Sequence, residues 1–101
     1  MIALNIPTMN IFDQIASRII KEQELIIGPL AWAEAGKVQG LNIVNSKNGE
    51  VSFSGDQKET VNKLVSQYER LFGRASREVC KHAVSSLVAE LPKGEIPTSL
   101  Q

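Results

Sequence analysis

Asn48-Gly49 sits between two short alternating runs, Leu41 to Asn45 and Val51 to Ser54. An Asn-Gly step in that setting is the strongest short-range hairpin signal, because both residues tolerate positive φ. Leu41, Ile43 and Asn45 alternate with Asn42 and Val44, and Val51 and Phe53 alternate with Ser52 and Ser54. Two strands alone are marginal in water, so the hairpin has to pack on helices or extend a partner's sheet. The rest of the chain reads as helix, which makes the fold class α+β.

Residues 1–7 are expected to be extended, since Pro7 biases Ile6 away from helical dihedrals. Thr8 or Asn10 can then cap a helix running to about Ile27. Ile11, Phe12, Ile15, Ile19 and Ile26 fall at helical spacing, with Asp13, Arg18, Lys21, Glu22 and Glu24 on the other faces. Asp13 lies in the first turn, where a carboxylate favours the positive end of the helix dipole.

Gly28-Pro29 then predicts a break. Glycine can take the positive φ that ends a helix, and proline is pre-set for the start of the next. A mid-helix proline would cost about 3 kcal/mol. A second, short helix is expected from Pro29 to about Val38, with Leu30, Ala33 or Glu34, and Val38 on its apolar face and Trp32 supplying bulk at a packing corner.

After the hairpin, Asp56 and Glu59 are spaced as a capping box. An apolar stripe at helical period runs from Val61 to Leu91, where Pro92 stops it. Gly73 interrupts it at about 1 kcal/mol relative to alanine. Either one long C-terminal helix bends at Gly73 or two helices meet at LFGRAS, and because the stripe stays in phase near-continuity is the favoured expectation. Such a helix of about 35 residues would span about 50 Å. That exceeds a globule of this size, so a second copy of the chain is expected to cover part of it as a homodimer. Residues 1–91 read as one domain and residues 92–101, PKGEIPTSLQ, as a loose flexible tail.

Charge supplies the main functional lead. The formal net charge of the 101 residues is zero, which argues against a surface built throughout for nucleic acid or anionic membrane. The distribution is uneven. Lys58 to His82 holds six Lys and Arg against three acids, while residues 1–57 hold four basic and six acidic residues. Arg70, Arg74, Arg77 and Lys81, with Lys63 one heptad earlier, fall on one side of a continuous helix. An acidic or phosphorylated protein partner would suit that stripe. Nucleic acid bound by the same helix plus Lys47 at the hairpin tip ranks second, for want of a distinct recognition helix. A small-molecule site near Trp32, with Glu34 as its polar group, ranks third.

Little else in the sequence carries chemistry. Cys80 and His82 are the only cysteine and histidine, and two residues apart on a helix they diverge. Glu78 and His82 face each other, yet nothing nominates the further ligands a metal needs. No catalytic group, metal or cofactor is therefore expected, and GEVSFSGDQKET lacks the Lys-Ser/Thr of a phosphate loop. One cysteine precludes an internal disulfide and suits a reducing cytoplasm. The uncharged apolar stretch Leu25 to Ala33 is far shorter than the roughly 20 residues of a membrane span. The expectation is a non-enzymatic, cytoplasmic interaction or regulatory module.

Overall fold

A computed structural model of the chain describes residues 10–101. The fold is α+β: α1 (Ile11–Ile27), α2 (Leu30–Ala35), the hairpin β1 (Leu41–Asn45) and β2 (Glu50–Phe53), then α3 (Gln57–Phe72), α4 (Arg74–Ala83) and α5 (Ser85–Val88). Two 3-10 turns follow, Lys93–Glu95 and Thr98–Leu100. The expected extended segment 1–7 and the Thr8 cap lie outside the described residues.

The first helix is the hub. Asn10 caps it, its Oδ1 accepting from the Asp13 N–H at 2.9 Å. Its buried side is Phe12, Ile15, Ala16, Ile19, Ile20 and Gln23, and α2, α3, α4, α5 and β2 all pack against it. Fully burying one such aliphatic side chain contributes about 1.5–3 kcal/mol, so this face supplies much of the core. Ile26 departs from the expected pattern and is 61% exposed. Beyond Gln23 the packed side continues only in Ile27, half-buried against the core.

Gly28 ends the helix at φ 71°, ψ −157°, a conformation that belongs essentially to glycine. The break at Gly28-Pro29 is therefore as expected, but α2 is rotated from its expected orientation. Ala31, Trp32, Glu34 and Ala35 are buried, whereas Leu30 and Ala33 are exposed. The Tyr68 hydroxyl fixes that rotation by donating to the Ala31 carbonyl at 2.6 Å.

The hairpin forms, with Leu41 opposite Phe53 and Ile43 opposite Val51. Its turn differs from the expected two-residue form. Only Gly49 has positive φ (73°), and Val44 bulges out between the paired residues Ile43 and Asn45. The Asn45 side chain shapes the turn, accepting from the N–H groups of Lys47 (3.0 Å) and Asn48 (3.2 Å).

The predicted long helix is corrected. Asp56 caps α3, accepting from the Glu59 N–H at 3.0 Å, but the chain breaks at Gly73, with φ 96° and ψ 173°. The Gly73 N–H closes α3 onto the Glu69 carbonyl at 2.9 Å, and α4 then packs on both α3 and α1. An in-phase stripe is equally well buried by two helices folded around a shared third. This removes the 50 Å helix on which the homodimer expectation rested. Leu71 and Ala75, two of the apolar positions between Val61 and Leu91 that keep the helical period, lie exposed on either side of the break.

Residues 92–101 are likewise no loose tail but a strap. Pro97 is fully buried and Leu100 is 6% exposed. The Asn62 Oδ1 accepts from the Ser99 N–H (2.9 Å) and Oγ (2.7 Å). Arg77 Nε donates to the Ser99 carbonyl at 3.3 Å, and Lys58 Nζ to the Gly94 carbonyl at 2.7 Å. The strap ties α3 to α4. Burial of Pro97 and Leu100 and these hydrogen bonds act together against the entropy of ordering the segment.

Candidate functional site

The break at Gly73 divides the five cations expected to form one stripe. Lys63 and Arg70 stay together on α3 and line an open groove of about 510 Å³. Arg74, Arg77 and Lys81 go elsewhere with α4. Arg77 is committed to the Ser99 carbonyl and lies 4.0 Å from the Glu69 carboxylate. Lys81 borders a separate groove with Glu78, His82 and Leu100, and Arg74 is exposed beyond the break. The single five-residue basic line is thus corrected to two cations on α3 and a dispersed set on α4.

The main groove has two walls. One is a face of α3, formed by Glu59, Asn62, Lys63, Ser66, Gln67 and Arg70. These positions recur at three- and four-residue steps, which brings them onto one side of a helix. The other wall is the connection from α2 to β1, with Lys37, Val38 and Gln39. Three cations and one carboxylate, Glu59, therefore line the groove, and of the cations Lys37 is ion-paired to Glu34 at 3.0 Å.

Behind that wall lies Glu34, buried against α3. It accepts from Lys37 Nζ at 3.0 Å and from Gln67 Nε2 at 2.8 Å. The Lys37 ammonium and then the Gln67 amide hold its carboxyl below the usual carboxylate range. Gln67 Oε1 in turn accepts from Arg70 Nη2 at 2.8 Å. A chain of hydrogen bonds thus runs from Lys37 through Glu34 and Gln67 to Arg70, fixing two cations on opposite walls. Lys63 has no such partner among the described residues.

Trp32 does not join this site. It is core, 9% exposed, and its buried indole Nε1 has no hydrogen-bond partner among the described residues. Glu34, two residues on, turns to the groove wall, so the pairing of Trp32 with Glu34 around a ligand is not formed. The sequence reading also missed Lys37, Gln39, Asn62, Ser66 and Gln67. Helical spacing along the polar side of α3 was the available signal for most of them, while Lys37 and Gln39 depend on tertiary contact alone.

Cys80 is buried on α4, with the Gln23 Nε2 3.4 Å from its Sγ. Burial pushes the thiol up to about 11, so it stays protonated and unreactive near neutrality. Among the described residues no group of three His, Cys, Asp or Glu side chains is placed to hold a metal, and no helix is long and apolar enough to cross a membrane. Compared with protein-family models, curated proteins and solved structures, the chain matches none.

Proposed function

We propose that this chain is a small, non-enzymatic interaction module that takes an acidic or phosphorylated segment of a partner protein into the α3 groove. The observation that carries this reading is the convergence of Lys63 and Arg70 on α3 with Lys37 on the opposite wall. Lys63 and Arg70 form no ion pair with any described residue. Cations held without a paired carboxylate beside a polar cleft are suited to an anionic ligand. The groove is open and lacks a nucleophile–base pair, which favours binding over chemistry. A reducing cytoplasm suits the single buried thiol of Cys80.

The test is fluorescence anisotropy with a labelled five-residue glutamate peptide and its phosphoserine counterpart. Lys63→Glu with Arg70→Glu should abolish binding while the circular dichroism spectrum is unchanged, and Arg74→Glu should have little effect. Unchanged binding in the double variant sinks the groove as the site. A mixed-sequence DNA duplex run alongside separates the nucleic-acid reading. If it binds more tightly than the peptides, with affinity falling about 0.9 log units per phosphate contact per log unit of salt, the groove is a phosphate-backbone site instead.

A further inference from the structure

Asn62 belongs to two systems at once. Its side chain lines the groove, and its Oδ1 is also the acceptor for both the N–H and the hydroxyl of Ser99. A primary amide has one acceptor end and one donor end. With the acceptor end taken twice by the strap, the NH2 end is held on the other side, without a partner among the described residues. The strap has anchors that do not involve Asn62. These are buried Pro97 and Leu100, the Arg77 bond to the Ser99 carbonyl, and the Lys58 bond to the Gly94 carbonyl.

The groove runs along α3 from Glu59 to Arg70, eleven residue steps or about 16 Å at the helical rise. An extended segment of about five residues covers that length at about 3.3 Å per residue. Asn62 lies near the Glu59 end, away from Arg70. A partner carboxylate there would meet Glu59 unless a donor faced it, and the free NH2 of Asn62 is the nearest neutral donor on the same helix face.

We propose that the C-terminal strap is a latch on this groove: docked, it orients the Asn62 amide so that its NH2 donates to a carboxylate of the bound acidic segment. Undocked, the amide turns freely and presents oxygen as readily as nitrogen, so the Glu59 end of the groove becomes unfavourable to an acid. Affinity for the partner then follows the position of residues 92–101, and anything that captures the strap weakens the groove. This inference rests on the reading of the groove as an acidic-segment site.

The experiment is a double-mutant cycle in the full chain, read by anisotropy with the labelled pentaglutamate peptide. Asn62→Ala should weaken binding about tenfold, the usual loss for one hydrogen bond to a charged group. Ser99→Pro removes both donors to Asn62 and should weaken binding by about threefold to tenfold. The two together should be no worse than Asn62→Ala alone, because the second change releases a group the first has already removed. Ser99→Ala, which keeps the N–H, is the gentler arm should the proline variant melt early. It should weaken binding about twofold, and not at all in the Asn62→Ala background. Losses that simply multiply, or a Ser99 pair without effect, overturn the latch. They leave the groove standing if Lys63→Glu with Arg70→Glu still abolishes binding. No uptake of peptide by the wild-type chain overturns both.

Discussion

The molecule turns two helical corners, one at Gly28 and one at Gly73, and they are built alike. In each, a glycine with positive φ and extended ψ ends a long helix, and a shorter helix follows. Each shorter helix is pinned by one buried polar side chain from a long neighbour. Tyr68 on α3 donates to Ala31 of α2 at 2.6 Å, and Gln23 on α1 donates to Ser76 of α4 at 3.1 Å. The differences lie in what stands behind the glycine and how well the pin is satisfied. Pro29 forbids a straight continuation at the first corner, while Arg74 permits one at the second. The Tyr68 hydroxyl has its partner, whereas the Gln23 Oε1 is buried with none among the described residues. A corner can thus be set by covalent geometry or by tertiary packing alone, and only the former is written locally.

The largest expected effect tests the first pin. Tyr68 is the largest fully buried side chain. Tyr68→Ala should cost about 3–5 kcal/mol, as large-to-small changes of core aromatics do. Urea unfolding followed by Trp32 fluorescence measures it. A loss under 1 kcal/mol would mean that α2 is held by Trp32 and its alanines without α3.

Next come the glycines themselves. A side chain in that backbone region costs about 1–3 kcal/mol, and at both sites an added Cβ meets open space. Steric crowding is therefore no part of the comparison. Gly28→Ala should only destabilise, because Pro29 blocks the straight path. Gly73→Ala has an escape: α3 and α4 can fuse into one helix, and the apolar side of α4 then seeks a second copy of the chain. Light scattering should show a larger species for Gly73→Ala and the wild-type mass for Gly28→Ala. Identical behaviour of the two variants would erase the distinction drawn between the corners.

How much of this was legible follows from the same contrast. The Asn10 cap, the Asp56 cap, the Gly28-Pro29 break and the hairpin all depend on residues within a few positions of one another, and each is found. Gly73 was misread because its neighbours give no stop signal and the stripe on either side stays in phase. Whether that stripe is buried along one axis or around α1 is decided by contacts dozens of residues apart. The same limit applies to the groove. Lys63 and Arg70 were identified from spacing, but Lys37 reaches their groove only through the fold. The strap was invisible for the opposite reason, since PKGEIPTSLQ is too short and polar to display the two residues, Pro97 and Leu100, that anchor it.

Cys80 offers a readout of the second corner through pH. Burial raises its thiol from 9.0 to about 11, with the Gln23 amide pulling the other way. The folded state therefore holds this proton more tightly than the unfolded chain. That contribution to stability is full below about pH 9 and is lost as pH rises through about 11. Burial also raises Tyr68 above its ordinary value, so the wild type should lose stability steeply at alkaline pH. Cys80→Ala should show a shallower decline between pH 9 and 11, measured by urea midpoints. An unchanged slope would mean the thiol is not desolvated and α4 does not close on α1.

The smallest effect belongs to the second pin. Replacing Gln23 by methionine keeps the length and flexibility of the side chain. It removes the hydrogen bond to the Ser76 carbonyl, a net contribution of about 1 kcal/mol, and the weaker one to Cys80 Sγ. It also removes a buried oxygen with no partner, whose desolvation costs about 1–3 kcal/mol. The Ser76 carbonyl, inside α4, can still accept from the backbone N–H one turn later, and a carbonyl that lacks only a second donor is tolerated in protein interiors. Gln23→Met should accordingly leave stability within about 1 kcal/mol of wild type, on the stabilising side. A loss above about 2 kcal/mol would show instead that the Gln23 amide holds the second corner as firmly as Tyr68 holds the first. The packing of α4 on α1 would then depend on a polar contact that apolar burial cannot replace.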